Sequence, residues 1–354
     1  MREELINLTK KLISINTDPK NKEELKEAIN LVKQTLREFK YKSFLKNGYP
    51  SLLFYNKPAS KFKIILNGHL DIIPGKKEQL QPIIRDDKLY GLGALDMKGG
   101  LATLILVFKE IAKKVNYPLA LQVVTDEEIG GFYGTKYQIK KGVRADFVIV
   151  GEPTNLNIKN EARGIIWVEL ITEGQSAHGA YVWKGKNAIW EMINILIKLK
   201  NSFSIPQTEK WITTLNLANV STSNTSFNKI PDNCVAWLDI RYTLSDKEKI
   251  LEKLKKIIKY KANLKIHFNE PAHYTSPKNP YLQKLRITAC NLLNREIKIL
   301  RAFGSSDLRH YDKIRVNGVA FGPEGQGMAE RKEWVSIDSL EKYFLILKNF
   351  LMNL

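Results

Sequence analysis

The chain reads as an α/β protein, a strand-and-helix domain interrupted by a smaller inserted ferredoxin-like domain. Three observations predict this. Short apolar runs bounded by turn residues alternate with helical patterns in the first half: Ile64 to Leu66, Leu119 to Thr125 and Phe147 to Val150. Buried strands alternating with helices argue for a sheet covered on both faces. From about residue 158 the order becomes β-α-β-β-α-β, which closes on itself as a small domain. After His273 the α/β rhythm resumes.

In order along the chain, two helices come first. In the second, Leu25, Ala28, Ile29, Val32 and Leu36 fall at i, i+3, i+4, i+7 and i+11, one apolar helical face. A long apolar helix is expected over 98–114. The inserted segment reads as strand 164–172, helix 187–200, strands 211–220 and 234–243, helix 246–260 and strand 263–268. A helix near 279–294, short strands near 297–301 and 318–322, and a helix at 337–352 complete the first domain. The expected division is 1–157 with 274–354 for the α/β domain and 158–273 for the insertion. No internal repeat or low-complexity segment is present.

With 354 residues, 44% of them apolar and 26% charged, the chain has the profile of a soluble globular protein with room for two domains. No apolar run reaches a membrane span, and Met1-Arg2-Glu3-Glu4 lacks the apolar core of a signal peptide. Cys234 and Cys290 are lone and distant, so they give neither a disulfide framework nor a C-x-x-C site. A cytoplasmic protein is expected. The net charge of +19 is spread along helices such as 246–261 rather than gathered in an arm. It reads as a solvated lysine-rich surface that also attracts anionic substrates, with neither a nucleic-acid nor a membrane partner.

The chemistry concentrates where apolar strands end. Asn67-Gly68-His69-Leu70-Asp71 follows the first run, Asp126-Glu127-Glu128 the second and Gly151-Glu152-Pro153 the third. Asp96, in Gly93-Ala94-Leu95-Asp96-Met97-Lys98-Gly99-Gly100, opens the long helix. Ligands of open α/β sheets bind outside the carboxyl ends of the strands. One His with several carboxylates is an N/O donor set suited to catalytic zinc. A carboxylate shared by two metals would hold them about 3.5–4 Å apart. Asp71 is placed to fix the His69 tautomer. Of Glu127 and Glu128, one can bind metal and the other serve as general base. Each cluster alone has an ordinary reading as a polar turn. Folding does not demand acids at all four places.

Gly68-His69-Leu70-Asp71, the segment 90–100 (YGLGALDMKGG), Asp126-Glu127-Glu128-Ile129-Gly130-Gly131 and Gly151-Glu152-Pro153-Thr154 resemble the M20 metallopeptidases. That family includes acetylornithine deacetylase, succinyl-diaminopimelate desuccinylase, aminoacylases and carnosinase-type dipeptidases. The resemblance runs over nearly the whole chain. It implies a zinc-hydrolase α/β domain with a ferredoxin-like lid that also serves dimerisation, so a homodimer is expected. It implies one or two Zn²⁺ per chain, with Co²⁺ or Mn²⁺ able to substitute. By the same resemblance His69, Asp96 and Glu152 hold the first metal, Asp96 bridging, and Glu128 binds the second. Glu127 is implied as general base and Asp71 as the residue orienting His69.

Ser176-Ala177-His178-Gly179 resembles the lid segment whose His polarises the scissile carbonyl, often in the partner subunit's site. Asn228, in Asn228-Lys229-Ile230-Pro231-Asp232, resembles the lid asparagine near substrate, and Arg241 sits in a matching segment. Gly304-Ser305-Ser306-Asp307-Leu308-Arg309 resembles the segment whose Arg holds a substrate carboxylate, a task suited to a guanidinium fork. His267, His273 and His310 read as structural.

One departure stands out. The family's last metal ligand is a His four residues before a Glu, and counting back from Glu333 in 325–335 (GQGMAERKEWV) places Ala329 there. Either the second metal position is weak or empty, or Glu330 or His310 substitutes, or the alanine is an engineered inactivation. The expected activity is hydrolysis of the amide bond of a small N-acyl amino acid. The alternatives are dipeptidase or carboxypeptidase activity by the same chemistry, and a catalytically impaired ligand-binding homologue.

Overall fold

The computed structural model describes residues 1–354. The chain forms two compact units, 1–161 with 274–302 and 306–354, and 162–273 with 303–305. Each folds around its own core.

The first unit is built on a large mixed sheet in which Lys40–Lys46, Tyr49–Tyr55, Leu119–Val124, Phe62–His69, Ala145–Val150, Asn317–Ala320 and Ile158–Ala162 are successive neighbours. Phe62–His69 runs parallel to both of its neighbours, with His69 opposite Val124 and Asn67 opposite Val150. Three strands therefore end at one level, and the residues following each emerge at one edge. Ile64 and Leu66 belong to the apolar cluster on one face, and Ile65 between them to that on the other. Burial on both faces explains why these strands read as continuous apolar runs rather than alternating ones.

The Gly99–Ile111 helix is apolar around most of its circumference, with every residue from Gly99 to Phe108 buried. Such a helix has to lie inside a core. It packs on the C-terminal Ile337–Met352 helix, whose N-cap Ser336 accepts from the Ser339 amide. A second, small antiparallel sheet joins Gly325–Gln326, Trp334–Ser336, Lys88–Tyr90 and Ile83–Arg85. It ties the C-terminal segment to the chain entering the Asp96 loop.

The sequence reading did not anticipate these short strands, nor the hairpin of Lys40–Lys46 and Tyr49–Tyr55. Residues 158–161 of strand Ile158–Ala162, which the sequence grouped with the insertion, belong to the first unit.

The second unit has the order β-α-β-β-α-β, with Gly164–Glu173, Ala188–Ser202, Thr214–Ser221, Asn233–Tyr242, Ile250–Ile258 and Asn263–Glu270. Its four strands are antiparallel, Gly164–Glu173 lying between Asn233–Tyr242 and Asn263–Glu270. Ile166, Val168 and Leu170 alternate with Trp167 and Glu169, and the former pack with Met192, Ile195, Leu199 and Leu254 from the helices. Asn187 caps the first helix by accepting from the Ile189 and Trp190 amides at 2.9 and 3.3 Å. This is the ferredoxin-like arrangement. No helix of the structure is long and apolar enough to cross a membrane.

Candidate metal centre

His69 is the last residue of its strand and is buried. Its Nδ1 lies 2.9 Å from the Asp71 main-chain carbonyl, and 3.6 Å from the Asp71 carboxylate. An N–H on Nδ1 donating to that carbonyl leaves Nε2 with its lone pair turned outward, the tautomer a metal needs. The orienting contact is thus mainly the backbone of Asp71. The Asp71 carboxylate accepts the Glu128 amide at 2.8 Å, while its Oδ1 is buried without a hydrogen-bond partner. Burial, opposed by His69, pushes Asp71 up to about 6.

Around Nε2 the carboxylates gather, Asp96 Oδ1 at 3.2 Å and Glu152 Oε1 at 3.8 Å. His69, Asp96 and Glu128 place one donor atom each within 4.8 Å of one another, and so do His69, Glu127 and Glu152. The imidazole feels burial against its charge, but the bond to Asp96 and the charges of Glu152 and Asp71 outweigh it and hold its pKa well above the usual value. Glu152 and Glu128 are pushed up by burial, with Asp96 adding repulsion in both and His69 opposing it. His69 and the Arg309 guanidinium beside Glu127 compensate these acids only in part, since Glu152 and Glu128 stay pushed up. A divalent cation with N and O preference would supply the rest, and the donor set fits one.

Glu127 and Glu128 sit on the Glu127–Ile129 turn directly beyond Leu119–Val124. Glycine is required at 131, where φ is +64° and a Cβ would fall 2.0 Å from Asp307 Oδ1. Buried Asp126 accepts the Tyr133 amide at 2.6 Å, and burial plus the Asp71 charge push it up to about 7. Arg309, on the short Leu308–Asp312 helix, donates from Nη1 to Glu127 Oε1 at 3.2 Å. Asp307 is buried and accepts from Thr135 Oγ1. His310 is also buried, with Nε2 2.9 Å from the Gly130 carbonyl, so it shapes the turn and joins neither donor group.

Asp96 follows a turn whose amides are held by Glu333. Oε1 accepts from Leu95 and Asp96 at 2.8 and 3.0 Å, and Oε2 from Gly93 at 3.0 Å. Lys98 is fully buried and donates to the Ile15 carbonyl at 2.8 Å, and burial brings it down to about 7. The sequence reading used Glu333 only to count back to residue 329 and gave Lys98 no role. Neither contact has a local sequence signal.

Ala329 lies in an exposed turn with φ +60°. Glu330 is exposed, its carbonyl accepting from Gln79 Nε2 at 3.0 Å. No residue of 325–335 belongs to either donor group. His178 and Asn228 are in the second unit, both exposed, on adjoining segments: the Gly179 amide donates to the Asn228 carbonyl at 2.7 Å. Arg241 is paired with Asp239 at 2.8 Å and His267 lies 3.3 Å from Glu169. His273 is buried.

The fold and donor set define a metal-dependent hydrolase. The sequence model of peptidase family M20/M25/M40 matches residues 65–353, and the chain belongs to that family. It is 33% identical over 315 residues to a succinyl-diaminopimelate desuccinylase of Pelagibacter ubique, covering 80% of this chain and 81% of the relative. A succinyl-diaminopimelate desuccinylase of Wolbachia pipientis subsp. Culex pipiens is 27% identical over 388 residues, covering 100% and 94%. Among solved structures, the M20 metallo-carboxypeptidase Sso-CP2 of Sulfolobus solfataricus superposes with TM-score 0.82 at 18% identity, covering 99% and 98%. A Bacillus subtilis protein described as a dinuclear metal-binding M20 peptidase gives 0.72 at 13% identity, covering 99% and 98%. These two likenesses establish the fold.

Proposed function

We propose that this chain hydrolyses the amide bond of a small anionic N-acyl amino acid, using zinc held at the His69 cluster. The observation that carries this is the convergence of Asp96, Glu127, Glu128 and Glu152 on His69, within two donor groups no wider than 4.8 Å. His69, Asp96 and Glu152 would hold the first ion, and Asp96 with Glu128 would reach a second. Zinc when bound supplies a Lewis acid for the amide carbonyl and lowers the pKa of water. Glu127 takes the proton from the attacking water and returns it to the departing amine nitrogen. Arg309, buried and 3.2 Å from Glu127, orients that carboxylate, and for a substrate carboxylate on the same guanidinium the support is the sequence resemblance. For His178 as the carbonyl-polarising group, Asn228 as a substrate contact and a homodimer through the second unit, the support is the sequence resemblance alone.

Desuccinylation is favoured over dipeptide hydrolysis because the relatives quoted above are desuccinylases. A net charge of +19 also suits an anionic substrate. The test is a panel of N-succinyl and N-acetyl amino acids, N-succinyl-diaminopimelate and dipeptides, assayed with added zinc, cobalt or manganese. Release of succinate or acetate faster than dipeptide cleavage supports the proposal. Preferential dipeptide cleavage replaces it with the peptidase reading. Binding without turnover under every metal condition identifies a ligand-binding homologue.

A further inference from the structure

We propose that Glu333 is the positioning residue for Asp96, aiming the carboxylate that faces His69 by gripping the backbone ahead of it. Glu333 is 3% exposed, and its two carboxylate oxygens accept the amides of Gly93, Leu95 and Asp96 at 2.8–3.0 Å. Its own carbonyl accepts the Gly91 amide at 3.1 Å. Four amides of a six-residue turn thus end on one residue.

That residue is fixed in turn by the strand that follows it, where Trp334 pairs with Tyr90 and Val335 with Leu89. The turn cannot simply be rebuilt another way, because Gly93 has φ +71° and a Cβ there would lie 2.5 Å from Ile72.

A carboxylate is the group this geometry asks for. Hydrogen bonds to an ionised acceptor are roughly twice as strong as neutral ones, and three converging donors offset part of the cost of burying that charge. An amide in its place would turn an N–H toward at least one of the donors. The Asp96 amide, held at 3.0 Å, is one bond from the Cα that carries the carboxylate 3.2 Å from His69 Nε2. Fixing the amide therefore fixes the Cα from which the carboxylate is aimed.

The inference rests on Asp96 being a ligand of the first metal. It gives the 325–335 segment a task at that first position whatever stands at residue 329.

The experiment measures zinc affinity of the metal-free full chain by chelator competition, together with its melting temperature in chelator. Glu333→Gln should weaken zinc binding about 10- to 100-fold, the loss typical of removing a group that orients a ligand. Asp87→Asn is the control. Asp87 accepts from Ser336 Oγ and the Asp338 amide beside the same strand and touches nothing in the Asp96 turn. It should lower the melting temperature and leave zinc affinity unchanged. An equal affinity loss in Asp87→Asn would reduce Glu333 to a general staple and overturn the proposal.

Parental affinity in Glu333→Gln with lost affinity in Asp96→Asn would overturn the proposal while sparing the metal assignment. Parental affinity in Asp96→Asn would sink both. If Glu333→Gln does not fold, amide exchange in the parent decides. Slow exchange across 93–96 in the metal-free protein supports the grip, and exchange at the rate of an open loop contradicts it.

Discussion

At the residue scale, the site is a set of acids whose positions the sequence displayed and whose contacts it hid. His69, Asp96, Glu127, Glu128 and Glu152 were legible because each follows an apolar run or opens an apolar helix, where a folding argument demands no charge. The pairing of Arg309 with Glu127 spans 182 residues and has no local pattern to betray it. Glu127→Gln keeps the shape and removes the proton acceptor, so turnover should fall roughly 10²- to 10⁴-fold with metal affinity intact. Steady-state rates beside a zinc titration check this, and activity within a few-fold of the parent would remove Glu127 from the role. Asp126 offers a test in pH. Its folded pKa of about 7 stands above the ordinary aspartate value of about 3.9, so the stability it contributes is complete below the lower value. That contribution is lost as pH rises through about 7. Asp126→Asn cannot ionise and its amide oxygen can still accept the Tyr133 amide. The metal-free variant should therefore lose less stability than the parent between pH 5 and 8 in urea denaturation. An unchanged slope would contradict the assignment.

At the element scale, length decided what could be read. The runs near 64–66, 119–125 and 147–150 and the helix near 98–114 are long or apolar enough to declare themselves, and the structure has elements at all four places. Strands of two or three residues, such as Gly325–Gln326 and Lys88–Tyr90, are too short to show a period. The Lys40–Tyr55 hairpin had a usable signal in Asn47-Gly48, whose φ values of 51° and 79° are those a tight two-residue turn requires. Its outer strand is exposed and lysine-rich, which masked the pattern. The turn after Leu119–Val124 is the element most tightly constrained by space. Gly131→Ala would combine a disfavoured φ with a Cβ 2.0 Å from Asp307 Oδ1. It should cost about 1–3 kcal/mol of stability, measured by denaturant unfolding. A neutral result would show that the turn and Asp307 separate without penalty.

At the scale of the whole molecule, the β-α-β-β-α-β order was legible because it repeats ordinary strand and helix signals in a recognisable sequence. Whether the second unit takes part in catalysis was not, since no periodicity reports on it. The role given to His178 makes a test in mixtures. A His178→Ala chain mixed with a Glu127→Gln chain should recover partial activity if one subunit supplies His178 to the other's site. No recovery, with a fully active monomer, would end the cross-subunit version. The central claim is that the His69 cluster holds one ion tightly and that Ala329 leaves the second position short of a donor. A histidine at 329 is compatible with the backbone there, because φ of +60° is a region histidine enters more readily than most residues. The most direct measurement is a zinc titration of the metal-free protein, read as stoichiometry and affinity. The parent should bind close to one zinc tightly, His69→Ala should abolish that site, and Ala329→His should add a second with higher turnover. Two tight sites in the parent, or a tight site that survives His69→Ala, would contradict the account.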